Sequence, residues 1–238
     1  MRTVTPHLLA AVVVAGGCSG PVPASRPVPA APAADTVPET HGPQPIPTDT
    51  VDAWLAPYRT SQPTTYEVVW HYTTDRGRSA GRGVVELRPP DSIRFEYRAP
   101  LGRRGTAVLV GSRLLWARPD SGVAPLRDAA PLVATALGLP PSPRADEDLS
   151  GQALPQRAWR YVRGDTVLTF LAGGAPHTLR VTLVRGRRLV GSATAVVDSL
   201  SGRLVEGRVH LPSFGLLMQF TVTEVRPAPA DPERWQPG

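Results

Sequence analysis

Short runs in which apolar and polar residues alternate recur from Tyr66 onward, with turn residues between them. In the first run Tyr66, Val68, Trp70 and Tyr72 occupy every second position, and later runs repeat the pattern. Period-two alternation predicts strands of an antiparallel sheet with one face on an apolar interior and the other toward water. We predict about ten strands on this criterion. They lie near residues 66–72, 83–88, 93–97, 106–110, 113–117, 158–162, 167–171, 178–184, 189–198, 204–211 and 216–225.

Two segments depart from the alternating pattern and predict helices. Residues 132–139 carry apolar side chains on more than one side, with Pro131 in the first turn and Gly138 near the end. Asp128 precedes this segment, and we expect its side chain to cap the helix. A second short helix is predicted near residues 51–58. The predicted class is therefore a mainly β protein with one or two short helices.

The N-terminal residues 1–17 have the proportions of a secretory signal peptide. A basic residue near the start is followed by an apolar run at residues 8–15, which is too short to span a membrane as a helix. The small residues directly before Cys18 resemble a bacterial lipobox, which implies cleavage before Cys18 and lipidation of its thiol. Several acyl chains on one residue make a lasting anchor. The alternative is an ordinary signal peptide cut near Gly17, which leaves Cys18 as a free thiol.

Proline-rich segments lie on both sides of the predicted sheet. Residues 21–47 combine proline with alanine and valine and carry little charge. Such a segment cannot bury a core and is expected to stay extended. We therefore divide the chain into a signal peptide (1–17), a tether that begins with the lipidated cysteine (18–47), a folded domain (48–227) and an extended tail (228–238).

The composition excludes several classes of protein. All 26 basic residues are arginine, so a Walker A loop, a Schiff-base lysine and a Ser-x-x-Lys site are absent. The single cysteine excludes an internal disulfide and a multi-cysteine zinc site. His71, His177 and His210 are isolated on predicted strands and lack the spacing of metal ligands. We therefore expect no catalytic residue, no metal, no cofactor and no nucleic-acid partner, and the net charge of +6 says little about a partner.

One segment, residues 88–119, carries a resemblance to a known family. It reads RPPDSIRFEYRAPLG and, after a gap, VLVGSRLLWARP. A proline before an F-R-hydrophobic strand, followed by a glycine hairpin that leads to Leu-Trp, resembles the LolA/LolB superfamily of periplasmic lipoprotein-handling proteins. The turn Pro100-Leu101-Gly102, the helix that ends in Leu-Gly-Leu-Pro and the lipid anchor resemble the LolB branch in particular. The resemblance covers residues 50–227.

The resemblance implies an open half-barrel of antiparallel strands, covered by helices, that encloses an apolar cavity for acyl chains. In this chain the helix with Leu132, Val133 and Leu137 would form the lid. The other interpretation is that the apolar face of the strands simply forms a filled core. The candidate cavity residues on that face are Trp70, Tyr72, Phe95, Tyr97, Leu109, Leu115, Leu183, Met218 and Phe220.

Two arginine clusters lie at predicted turns. Arg103 and Arg104 form the first, with Leu101 beside them, and Arg187 and Arg188 belong to the second. Guanidinium groups on exposed loops are suited to anionic lipid headgroups. The alternative is that these are ordinary solvated turns. Arg94, on the strand face opposite Phe95, is expected to point outward.

These observations predict a monomeric, non-enzymatic lipoprotein, anchored to the outer membrane through Cys18 and facing the periplasm. It would bind lipid or lipoprotein acyl chains in its cavity and accept them from a periplasmic carrier protein. One alternative is an envelope-assembly scaffold with a filled core that binds another protein. A more remote alternative is an uncharacterised hydrolase, which would need histidine and acidic side chains clustered inside the cavity.

Overall fold

The alternating segments form one antiparallel sheet of thirteen strands in the computed structural model. The structure describes residues 43–98, 102–111, 113–119, 126–153, 156–174, 177–229 and 235, all within one compact unit, His41–Gly238. In chain order the strands are β1 (Gln44–Pro45), β2 (Thr64–Thr74), β3 (Gly77–Arg88), β4 (Ser92–Arg98), β5 (Arg104–Val110), β6 (Arg113–Arg118), β7 (Asp148–Gln152), β8 (Arg157–Arg163), β9 (Thr166–Gly173), β10 (His177–Arg185), β11 (Arg188–Val197), β12 (Leu204–Leu211) and β13 (Leu216–Pro227).

Strands that follow one another along the chain pair in two successive meanders. β2 to β6 form one meander and β7 to β13 form the other, and the two join where β13 pairs with β2. That ladder runs from Leu217 opposite Thr73 to Pro227 opposite Thr64. β1 and β6 lie at the two ends of the strand order, so within the described residues the sheet is open. The predicted class, a mainly β open half-barrel with one or two short helices, is confirmed.

Two strands, β1 and β7, were not predicted from the sequence. They pair with each other, with Gln44 opposite Gly151 and Pro45 opposite Ser150. β7 reads DLSGQ, and only Gly151 within it is buried. It therefore has no apolar alternation to detect. The ladder begins inside the segment 18–47, which the sequence assigned to the tether.

Two short α-helices accompany the sheet in the described residues: α1 (Thr48–Leu55), extended by a 3₁₀ turn, and α2 (Ala130–Ala136). Both were predicted. The predicted cap of α2 is wrong, because the helix begins after Ala129 and no side chain caps it. The carboxylate of Asp128 instead lies 3.3 Å from a guanidinium nitrogen of Arg185. Gly138 follows the helix with φ of +86°, a conformation that favours glycine.

The helices pack on one face of the sheet, which we call the inner face. α2 lies across β10, β11 and β12, and every residue from 132 to 140 is buried. A helix that is apolar on all sides requires such cover. Gly191 of β11 permits the close approach, since a Cβ atom there would lie 3.2 Å from Leu132 and 2.4 Å from the carbonyl oxygen of His210. The inner face therefore holds the core.

Candidate functional site

The inner face has two parts with different cover. Over β8 to β12 it is covered by the helices: Trp54 of α1 contacts Trp159 of β8 at 5.6 Å between ring centres, and α2 packs on β10 to β12. Over β2, β4 and β13 it carries a cluster of aromatic rings instead. We call this cluster the aromatic floor, and it consists of Trp70, Tyr72, Phe95, Tyr97 and Phe220.

Strand pairing explains why these side chains share one face. Trp70 lies opposite Phe220 on β13 and opposite Gly81 on β3, while Phe95 lies opposite Val85. Directly opposite residues in an antiparallel ladder point to the same side of the sheet. Four of the five aromatic residues are also among the aromatic positions of the alternating runs 66–72 and 93–97. The predicted alternation thus brings them together.

Glycines on neighbouring strands lie under these rings. A Cβ atom on Gly105 would lie 2.5 Å from the ring of Tyr97, and one on Gly83 would lie 2.8 Å from the ring of Phe95. Each ring therefore rests on the sheet backbone and occupies space that a side chain would otherwise fill. The result is a broad surface of aromatic carbon lying close to the strands.

The rings of the floor also contact one another. Trp70 and Tyr97 meet edge to face with their ring centres 6.0 Å apart, and Phe95 and Phe220 do so at 5.7 Å. Phe95 and Tyr97 are closer to parallel, at 6.1 Å. The indole nitrogen of Trp70 donates to the carbonyl oxygen of Arg82 at 3.0 Å. These contacts fix the rings in place before any ligand binds.

The floor is only partly shielded from water. Phe220 and Trp70 are 1% and 7% exposed, whereas Tyr72, Phe95 and Tyr97 are half-buried. Burial raises the pKa of the Tyr72 hydroxyl above its usual value. The floor therefore combines an apolar environment with accessible ring surface.

The structure places the remaining cavity candidates in different surroundings. Leu109 and Met218 are buried on the inner face, on β5 and β13. Leu183 is 1% exposed and lies opposite Gly191, under α2. Leu115 requires a correction, because its side chain is 63% exposed. The register of β5 and β6 shifts between Val108 and Leu109, which leaves Leu115 without a direct partner and removes it from the apolar row.

The predicted lid residues lie inside the fold. Leu132, Val133 and Leu137 of the α2 segment are 0%, 5% and 1% exposed. Thr135, also fully buried, donates its hydroxyl to the carbonyl oxygen of Pro131 at 2.9 Å. The segment thus fills the space over β10 to β12 and leaves the aromatic floor beside it.

A buried charge cluster on the opposite, outer face was missed by sequence reasoning. Arg94 faces outward as expected, but it is 8% exposed and lies 3.4 Å from the carboxylate of Glu86, which is 2% exposed. Arg94 also pairs with Glu96. A signal was available in the sequence, because the short connection between β3 and β4 sets Glu86 opposite Arg94.

Trp235 of the C-terminal tail lies against the same outer face. The ring of Trp235 lies 4.6 Å from the guanidinium carbon of Arg88, and its carbonyl oxygen accepts a hydrogen bond from the indole of Trp116 at 3.3 Å. Val108, opposite Trp116, is 1% exposed. This part of the outer face is therefore covered, unlike an ordinary solvated sheet face.

The predicted membrane-contact residues are only partly described. Arg103, Arg104, Arg187 and Arg188 are exposed, but Arg104 and Arg188 are the first residues of β5 and β11 rather than turn residues. Cys18 and Leu101 lie outside the described residues. In the part of the chain that the structure describes, no helix is long and apolar enough to cross a membrane. No group of three or more His, Cys, Asp or Glu side chains there has the geometry of a metal site.

Comparisons with known proteins give a fold. No protein-family model matches the sequence, and no curated protein matches it. A LolA superfamily protein from Nitrosomonas europaea has a similar structure, with a TM-score of 0.55 and 9% sequence identity over 81% of this chain and 98% of its own.

Two further solved structures are more distant. A domain assigned to outer membrane lipoprotein sorting, from Vibrio parahaemolyticus, has a TM-score of 0.47 and 8% identity over 79% of this chain and 94% of its own. The hypothetical lipoprotein YmcC from Escherichia coli has a TM-score of 0.31 and 15% identity over 78% of this chain and 98% of its own. The first structure shows that this chain has a LolA-like fold, and the resemblance inferred from the sequence is confirmed at that level.

Proposed function

We propose that this chain is a lipid-anchored envelope protein that binds the acyl chains of lipids or lipoproteins on its aromatic floor. The observation that carries the proposal is the position of the floor: it lies on the inner face, beside the part that α1 and α2 cover, with Tyr72, Phe95 and Tyr97 half-buried. A mostly apolar surface with some water-exposed carbon is the kind of site that binds apolar ligands.

The driving force would be hydrophobic. An acyl chain on the floor removes both its own methylene groups and the exposed ring surface from water, at about 0.8 kcal/mol per buried CH₂. The rings are already held by one another and by the glycine backbone beneath them. Little ordering of the protein is then needed on binding, which favours affinity. Binding is non-covalent, and no catalytic role is proposed.

The fold and the N-terminus support the cellular part of the proposal. The structural similarity is to a LolA superfamily protein, and the lipobox-like sequence before Cys18 would attach the chain to a membrane. An anchored protein with an acyl-binding face could accept lipoproteins from a periplasmic carrier at the outer membrane. Labelling cells with an alkyne-tagged fatty acid tests the anchor: the wild-type chain should carry the label and the Cys18→Ser variant should not. An unlabelled wild-type chain would overturn this part.

Acyl binding is tested with the full-length Cys18→Ser chain and an uncharged, pyrene-labelled acyl chain. The wild-type floor should bind the probe, and Tyr97→Glu should weaken binding at least about tenfold, because the new carboxylate would lose water under the probe. The matched control is Leu217→Glu, which places the same charge on the outer face at a residue that is 42% exposed. Circular dichroism checks that all three proteins are folded. A folded chain that ignores the probe, or equal losses in both variants, would refute acyl binding on the floor.

A second candidate, a protein-binding scaffold, is favoured by one observation. The segment with Leu132 and Leu137 fills the inner face over β10 to β12 with side chains that are 0% and 1% exposed. If the interior is filled throughout, the half-barrel would present only its outer face to a protein partner. The probe experiment separates the two functions, since a scaffold would show no acyl binding with either variant.

A further inference from the structure

Three arginines lie directly opposite one another on adjacent strands of the outer face. Arg82 of β3 pairs with Arg98 of β4, and Arg98 pairs with Arg104 of β5. Like charges in directly opposite positions destabilise a sheet. We call these three residues the arginine row, and its position in three consecutive strands requires an explanation.

The row belongs to a larger basic surface at one end of the outer face. Arg118 of β6 lies opposite Thr106 of β5, one cross-strand row away from Arg104, and all four arginines are exposed. Arg98, Arg104 and Arg118 line a cavity of about 590 Å³, and its other lining residues are Glu96, Tyr97, Gly105, Thr106 and Pro119. The lining therefore includes three arginines, a threonine and a tyrosine, with a single acidic residue.

That carboxylate does little to neutralise the row. Glu96 is already paired with Arg94. Among the described residues, no carboxylate lies within ion-pair distance of Arg82, Arg98, Arg104 or Arg118. Within the described part of the chain the charge of the row is therefore not neutralised by an ion pair, which makes it available to an anionic ligand.

Two ordinary explanations do not account for the row. Charged side chains protect the edges of sheets, but Arg82 and Arg98 lie on inner strands, with β5 and β6 beyond them. The second explanation is that a chain without lysine carries arginine at many surface positions, including others on this face. There, Arg180 and Arg208 are separated by Thr194 on the intervening strand, which keeps the charges apart.

We propose that the arginine row and Arg118 bind phosphate headgroups at an anionic phospholipid surface. Guanidinium groups match phosphate oxygens with paired hydrogen bonds, and Thr106 adds a neutral donor. A bilayer presents many such phosphates in a plane, which fits a row of cations on a sheet face better than a single small anion does. The membrane is taken from the proposed anchor at Cys18, so the biological setting rests on the proposed function. The row itself is on the face opposite the aromatic floor, and Tyr97 is the one floor residue that also lines the cavity.

The test measures sedimentation of the full-length Cys18→Ser chain with vesicles. One set contains phosphatidylcholine with about 30 mol % phosphatidylglycerol, and the other contains phosphatidylcholine alone. We expect binding only to the anionic set, and about tenfold weaker binding for Arg98→Gln/Arg104→Gln. The matched control, Arg180→Gln/Arg208→Gln, removes two charges from the same face and should change binding less than about twofold, because its charges lie outside the row.

Stability provides an independent readout. The row variant should be at least as stable as the parent chain toward urea, because two opposed like charges are removed. Equal losses of vesicle binding in the two double variants would reduce the effect to net charge and overturn the proposal. Calorimetry measures binding of inorganic phosphate to the parent chain. If phosphate binds as tightly as the anionic vesicles do, the proposal is overturned in favour of a soluble ligand. Acyl binding on the floor is measured separately with the pyrene probe, so either proposal can fail without the other.

Discussion

The carbonyl oxygen of Ala136, at the end of α2, lies against Gly207 of β12, where a Cβ atom would come within 1.9 Å of it. No side chain larger than hydrogen fits between the helix and the strand at this point. Because both contacting groups are backbone atoms, neither can move aside by changing rotamer. Gly207 therefore limits, together with Gly191, how closely α2 approaches the sheet.

Gly207→Ala should therefore lower the free energy of unfolding by about 3 kcal/mol, because the helix must shift away from the sheet. Urea denaturation followed by circular dichroism measures the change. The control is Gly173→Ala on β9, where only Gln156 lies near the added atom, at 3.9 Å. That variant should stay within about 0.5 kcal/mol of the parent chain. Similar losses of stability in the two variants would contradict the close approach of α2 to Gly207.

The buried pair of Arg94 and Glu86 gives a second prediction. Arg94→Met leaves the Glu86 carboxylate buried without its guanidinium neighbour, which should cost about 3 kcal/mol of stability. Arg208→Met is the comparison, since Arg208 pairs with Glu206 in a more exposed place and should cost less than about 1 kcal/mol. Thermal unfolding of the two variants tests the difference. Equal losses of stability in the two variants would mean that burial does not increase the contribution of the Arg94–Glu86 pair to stability.

Contact of the tail with the outer face gives a third prediction. Trp235→Ala removes the ring that lies over Arg88, and the loss of this cation–π contact should reduce stability by about 1 kcal/mol. Trp235→Phe keeps an aromatic ring and should retain part of that contribution. Urea unfolding monitored by circular dichroism measures both variants. An alanine variant as stable as the parent would show that the tail contributes nothing to the fold.

Alkaline pH provides a fourth prediction. Burial raises the pKa of the hydroxyls of Tyr58, Tyr66, Tyr72 and Tyr161. An unfolded tyrosine ionises at a pH of about 10, so the folded chain holds these protons more tightly than the unfolded chain. Stability should therefore be unaffected by these groups below that pH and should fall as the pH rises above it.

Ultraviolet absorbance of tyrosinate and circular dichroism, recorded together during an alkaline titration, test this behaviour. The buried tyrosines should ionise only as the ordered signal is lost. In the Tyr161→Phe variant the loss of stability with rising pH should be shallower. Full ionisation of all tyrosines in a still-folded chain would contradict the prediction.

Alternation predicted most of the sheet because its inner face is apolar and its outer face polar over long runs such as 178–184 and 204–211. It failed at β1 and β7, the two short strands at one end of the sheet, whose side chains bury little surface. It also failed at Leu115, where a shift in register changes which residues share a face. Apolar pattern alone contains no information on such a shift.

The residues of the aromatic floor and of the arginine row were predicted from the sequence to different extents. The aromatic residues of the floor could be identified on their own strands, but the glycines beneath Phe95 and Tyr97 belong to neighbouring strands. The arginine row likewise exists only through the pairing of three strands, since Arg82, Arg98 and Arg104 are widely spaced in the sequence. Such features depend on which residues of neighbouring strands lie opposite one another, and the alternation of apolar and polar residues does not specify this.

The last strand of the sheet, β13, occupies an internal position between β12 and β2. During synthesis β2 to β12 emerge before β13, and β2 and β13 are farther apart in the sequence than any other pair of neighbouring strands in the described residues. The hydrophobic interior can therefore be completed only after residues Leu216–Pro227 have been synthesised. Translation that stops short of this segment would leave two half-sheets with open edges, which are prone to aggregate.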